Sequence, residues 1–303
     1  MRRWFLCILI GLGASALQAQ SGSFDRTLDR GIDAFYATDW VQADSAFNAL
    51  IRSHPNDPRP YFFSSMIPFW AYFFAGNDSH HGASFLKRSE TAIQVGMKHL
   101  ETSPGDTSIV LLMSGLHGYR SLVAASEKEY RIAIQSGMKG YGFTKQLMAY
   151  GDANPNAMMG QGVFQYMVGS IPGEIRWMAT LAGLSGDKLA GLELLHQVAT
   201  GDSDVKYDAM MVMAHVMEKE ERPSDAIVYL DMLVTHQPTN IIAIYHLARL
   251  REAAGSYADA RKGYMAVLQT KQPEFAHIRQ ESRKKLSLIA NRTKAQHSAS
   301  PIH

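Results

Sequence analysis

Residues Tyr207 to Glu274 divide into two consecutive units of thirty-four residues, and that register constrains the chain more than any other feature. In the first unit, Met210, Met213, Ala214 and Met217 mark one helical stripe, and Ala226, Leu230, Leu233 and Pro238 mark a second. A shift of thirty-four places puts Ile244, Leu247, Ala248 and Arg251, then Ala260, Tyr264, Val267 and Gln272, on those positions, with Pro273 one place late. Two apolar stripes per unit, repeated at this period, predict helix–turn–helix hairpins stacked side by side. Ala214, Ala248, Ala226 and Ala260 fall where the paired helices should cross most closely, because a larger side chain there would force the pair apart.

The register returns near the N-terminus. Gly31, Ala43, Phe47, Leu50 and Pro55 stand at the positions of Ala214, Ala226, Leu230, Leu233 and Pro238. Between the two stripes, Thr38-Asp39-Trp40 reads as a turn with an N-cap candidate and an aromatic plug. The units 24–57, 207–240 and 241–274 resemble the tetratricopeptide-repeat family. The resemblance implies an all-α, TPR-like α-solenoid of stacked antiparallel helix pairs, here expected over residues 20–290. It further implies a concave face carrying positions 2, 5, 9, 12 and 13 of each unit. These are Asp208, Met211, His215, Glu218 and Lys219; then Ile242, Tyr245, Arg249, Glu252 and Ala253; and Asp25, Leu28, Ile32, Phe35 and Tyr36. Arg251 departs from the family pattern, which has tyrosine there.

The chain of 303 residues opens with Arg2 and Arg3, an apolar run from Trp4 to Leu12, and small or polar residues ending at Ala19. This order predicts a signal peptide over 1–19 and an exported, periplasmic or secreted protein. The apolar run is too short to span a bilayer, so no integral membrane span is expected. Without Arg2 and Arg3, 28 basic and 28 acidic residues remain, and no overall field favours nucleic acid. The single cysteine, Cys7, lies in the leader. The remaining chain has no thiol for a disulfide, a thiolate zinc site or a cysteine nucleophile.

Between the clear units, Arg59 to Ala75 carries eight aromatic residues and reads as a helix covered on more than one face, kinked at Pro68. A loop is expected over 76–83 and a helix over 84–101. Helices follow over 107–125 and 127–138, with Gly140-Tyr141-Gly142 breaking the pattern. Asn154-Pro155-Asn156 is expected to cap a helix containing Gly160 and Gly162. Ile171-Pro172-Gly173 restarts a helix to Leu181, and 188–199 closes a pair with it. A capping helix over 274–290 and a disordered tail over 291–303 complete the reading.

No residue pattern points to catalysis, a metal or a cofactor. Gly160-Gln161-Gly162 has no preceding strand and reads as close helix packing. His80 and His81 are adjacent in a polar loop and lack a second ligand at helical spacing. Met210, Met211, Met213 and Met217 include three repeat core positions, so packing accounts for them. The expected function is therefore non-catalytic binding of a protein or peptide in the concave groove. Met211, His215, Glu218, Tyr245, Arg249, Glu252, Phe35 and Tyr36 are the contact candidates. The alternative is an apolar small-ligand site with Phe69, Trp70 and Phe73 of the aromatic helix as its wall.

Overall fold

The computed structural model describes residues 22–299 apart from 77, 150–154, 172, 182 and 204. The leader expected over 1–19 lies outside the described residues, as does Asn154. The described residues are α-helical with no strand, and neighbouring helices pack in pairs, so the chain is an all-α solenoid-like fold. In order, the helices are α1 (22–36), α2 (Trp40–Ser53), α3 (Pro58–Ala75), α4 (Ser79–Thr102), α5 (Thr107–Ser126), α6 (Tyr130–Met148) and α7 (Pro155–Gly169). They continue as α8 (Gly173–Leu181), α9 (Lys188–Thr200), α10 (Lys206–Lys219), α11 (Pro223–His236), α12 (Ile241–Ala253), α13 (Tyr257–Val267) and α14 (Ala276–Ala299). Among the described residues no helix is long and apolar enough to cross a membrane.

Among the described residues, six helices start where a carboxylate or amide side chain takes up a free backbone N–H. Asp39 accepts from Gln42, Asp57 from Arg59, Asp78 from His80, Asp106 from Ser108 and Ile109, Asp187 from Leu189 and Ala190, and Asn240 from Ala243. The cap at Asp78 starts α4 at Ser79, so the expected loop shrinks and His80 and His81 sit in the first helical turn. Each clear unit closes its first helix on one left-handed residue: Thr38 (φ 58°), Glu221 (φ 58°) and Gly255 (φ 81°), all at the same place in the register. For Thr38 and Glu221 that conformation costs roughly 1–2 kcal/mol, which the packing on either side must offset.

Packing follows the repeat. Ala226 and Ala260 are fully buried, with Ala214 and Ala248 nearly so, as expected at the crossings of α10 with α11 and α12 with α13. In the first hairpin Gly31 takes that role, since a Cβ there would stand 2.6 Å from the Phe47 ring. Arg251 of α12 ion-pairs with Asp231 of α11 at 2.5 Å and joins the two units.

The middle of the chain departs from expectation in several places. Helix α6 runs unbroken through Gly140-Tyr141-Gly142. Gly140 is required there by close approach to α5, because its Cβ would meet the Gly118 backbone nitrogen at 3.2 Å. Helix α9 pairs with α7 and not with α8. Gly191 makes this possible, as its Cβ would lie 2.7 Å from the Gly162 carbonyl oxygen. Helix α3, in contrast, covers the expected span as one element with Pro68 inside it. Residues 291–299, expected to be disordered, continue α14, and 300–303 lie outside the described residues.

The solenoid turns far enough that its first hairpin meets its last helices. Thr38, 1% exposed, donates its hydroxyl to the Thr239 carbonyl at 3.1 Å and accepts from the Ile241 N–H at 3.0 Å. Asn240, fully buried, caps α12 with its oxygen and donates its Nδ2 to the Tyr36 carbonyl at 2.9 Å. Gln272 donates to the Thr38 carbonyl at 2.7 Å and accepts the Trp40 N–H at 3.0 Å. Beside these bonds the Trp40 ring packs on Phe275, centroids 4.7 Å apart, and its indole N–H donates to the Phe35 carbonyl. The backbone groups of this tight turn would otherwise be buried without partners, so the clasp is specific as well as apolar.

Candidate functional site

The closed turn of the solenoid encloses a cavity of about 830 Å³ on the concave side. Helix α1 contributes Leu28, Ile32 and Tyr36 to one wall, and the start of α10 contributes Tyr207 and Asp208. Phe62 and Phe63 of α3 border it, and Leu111, Leu122, Val163 and Phe164 of α5 and α7 face them. Glycine backbone lines part of the same side, through Gly115 and Gly118 of α5, Gly137 and Gly140 of α6 and Gly160 of α7. The small residues serve two ends. At Gly140 a Cβ would meet the facing helix, whereas at Gly118 it would meet nothing within 4 Å. The Ser114 and Thr144 hydroxyls, 2.7 Å apart, tie α5 to α6 beneath this surface.

The polar groups are concentrated on the α1 and α10 side. Tyr36 donates its hydroxyl to the Asp208 carboxylate at 2.5 Å, and the Tyr36 and Tyr207 rings meet edge to face, centroids 5.1 Å apart. Burial pushes the Asp208 carboxyl up to about 6, with hydrogen bonds from Tyr36 and Trp70 only partly offsetting it. Asp208 keeps some exposed area because it faces the cavity. On the far side Tyr141 and Phe164 stack at 4.2 Å and present an apolar face.

A second, shallower cleft of about 610 Å³ lies where the C-terminal end of α3 meets α10, α12 and α14. His215, Glu218, Tyr245 and Arg249 line it opposite Phe73, with Glu218 and Arg249 ion-paired. His246 donates from Nε2 to the Phe74 carbonyl at 2.9 Å, and burial lowers its pKa to about 4, so the ring is neutral there. Burial also lowers the pKa of His215, whose ring sits edge-on to Phe73 and Phe74.

The contact candidates thus separate into four groups. His215, Glu218, Tyr245, Arg249 and Phe73 meet in the cleft, and Tyr36 faces the cavity. Met211, Phe35, Phe69 and Trp70 are at most 4% exposed, line neither opening and belong to the core. Glu252 is committed to the Tyr264 hydroxyl at 2.7 Å and to Lys285 at 3.1 Å. The aromatic helix does border the cavity, but through Phe62 and Phe63. The α5–α7 wall was hidden in the sequence, because Gly118 and Gly160 look there like any other helix-packing glycines. His80 and His81 lie side by side, ring centroids 5.8 Å apart, and no cluster of three metal-ligating side chains forms among the described residues. No protein-family model matches the chain, and no curated protein matches it either.

Proposed function

We propose that this chain is an exported, non-catalytic binding protein of the tetratricopeptide kind that takes a small ligand with an apolar body into the cavity between α1, α5–α7 and α10. The observation that carries this reading is the size and lining of the cavity. Its volume of about 830 Å³ matches a site for a small molecule, since such sites span roughly 300–1,000 Å³ and are lined mainly by apolar and aromatic groups. A rigid wall of stacked helices presents those groups in fixed geometry, so little ordering entropy is lost on binding. The basic, apolar and small-residue order of 1–19 supports export. Intact-mass measurement on protein from its native host is expected to show a chain beginning at Gln20, and retention of 1–19 would reject export.

Gly118→Leu tests the cavity directly. The new side chain enters open space beside the ligand volume, and the helix gains propensity, so stability should hold or rise by about 1 kcal/mol. Binding of decanol, followed by calorimetry, is expected in the unaltered protein and lost in the variant. Equal binding in both would place the ligand outside the cavity. The cleft supports a second reading, in which the side chains of a peptide or protein dock between Phe73 and the Glu218–Arg249 pair. Partner binding that survives Gly118→Leu but is abolished by Arg249→Glu would favour it.

A further inference from the structure

The charged groups around the cavity are not distributed evenly. Among the described lining residues, six charged side chains border it: Asp29, Asp33, Asp202 and Asp208 against Arg59 and Lys206. The two cations are already engaged. Arg59 holds Asp57 through paired contacts at 3.0 and 2.7 Å, reaches Asp25 at 3.3 Å and lies over the Phe24 ring. Lys206 pairs with Asp202 at 2.9 Å. Asp29, Asp33 and Asp208 have no ion-pair partner among the described residues.

These three carboxyl groups share one side of the cavity. Asp29 and Asp33 are one helical turn apart on α1, so they project from the same face, with Tyr36 following one turn after Asp33. Tyr36 in turn holds Asp208 by its hydroxyl. The rings of Tyr36 and Tyr207 stand beside this acidic wall. Among the described lining residues, α5 to α7 bring Leu111, Leu122, Val163 and Phe164 to the cavity, with the hydroxyls of Ser114, Tyr119, Tyr141 and Thr144 between them, and no charged side chain. A cavity with carboxylates and tyrosine rings at α1 and α10 and an uncharged, largely apolar lining along α5 to α7 is complementary to a molecule with a cationic end and an apolar body.

Resting on the cavity reading above, we infer that the ligand is an organic cation, an amine or quaternary ammonium group carried on an apolar body. Its charge would lie against Asp29, Asp33 and Asp208, and its apolar part would lie along α5 to α7. The cation would neutralise a carboxylate excess that this wall otherwise bears, while an anion of the same shape would be repelled by it.

The experiment is a calorimetric titration of the full chain with three probes of one chain length: decyltrimethylammonium, decanol and decanoate. The ammonium is expected to bind at least about tenfold more tightly than decanol, with decanoate weakest, and the preference should shrink as salt rises. Asp33→Asn and Asp29→Asn, both exposed on α1, should each reduce the preference severalfold while leaving decanol binding unchanged. Asp208→Asn should reduce it as well, and the two α1 variants carry the test if loss of the Tyr36 contact unsettles the fold. Equal affinity for ammonium and decanol, or a preference indifferent to all three variants, overturns the charge assignment and leaves the cavity reading standing. Binding of none of the probes, or binding unaltered in Gly118→Leu, overturns both.

Discussion

Trp40→Ala is expected to destabilise the protein by about 3–5 kcal/mol and to abolish ligand binding with it. Trp40 is 1% exposed and is the largest group in the clasp between the first hairpin and the last helices. Truncation removes its contact with Phe275 and leaves the Phe35 carbonyl without its indole donor. The Trp40 backbone N–H still reaches Gln272, so the hydrogen-bonded part of the clasp survives. The effect should therefore be local before it is global. Hydrogen exchange across 22–53 should accelerate far more than exchange across α10 to α13, because neighbouring pairs in a solenoid hold each other without the clasp. Since α1 forms one wall of the cavity, its loosening opens the site. Denaturant unfolding, exchange and probe binding together check this. Uniform destabilisation of all helices would show that the clasp is not a separate unit.

The second large effect concerns acid. His117 of α5 is 3% exposed, stacks on Phe143 at 5.8 Å, and has no hydrogen-bond partner for either ring nitrogen among the described residues. Burial, aided by the positive charges of Lys139 and Arg120, lowers its pKa from 6.5 to about 4. The folded state thus refuses a proton that the unfolded state accepts. Above 6.5 neither state is charged and no penalty exists. As pH falls from 6.5 to about 4 the unfolded chain gains protons alone, and stability drops by about 3 kcal/mol over that window. His117→Leu should remove this loss and, by deleting two buried polar atoms, also raise stability at pH 7 by about 1–3 kcal/mol.

Other groups titrate in the same window, and burial lowers His215 and His81 in the same direction as His117. His246, lowered to about 4, acts in the same direction as His117. Asp208 opposes them, because its folded carboxyl, raised from 3.8 to about 6, takes up a proton before the unfolded one does. The variant should accordingly retain a weaker acid sensitivity. Denaturant midpoints at pH 4, 5.5 and 7 check the sign. A variant that loses stability at pH 7, or keeps the full acid slope, would mean that His117 is satisfied in a way its surroundings do not indicate.

The sequence determined the local architecture because its signals are periodic. Alanine at the crossings and a left-handed residue at one place per unit repeat in register, and each acts on neighbours within a turn or a hairpin. It also placed Leu28, Ile32, Tyr36 and Asp208 on the inner face, since a repeat position implies a side of the helix. Tertiary structure decided how far the solenoid turns. The rotation from one helix pair to the next is small, and only its sum brings Thr38 to Thr239 and Trp40 to Phe275. Phe35 and Met211, expected on an open groove, are buried in the core, with Phe35 packed on Trp70 of α3, and the inner side holds a cavity. The closure also explains Gln272, which stands in the register where the first unit has Pro238. A proline lacks the side-chain amide that receives the Trp40 N–H and reaches the Thr38 carbonyl, so the irregular position in the repeat is the one that closes the fold.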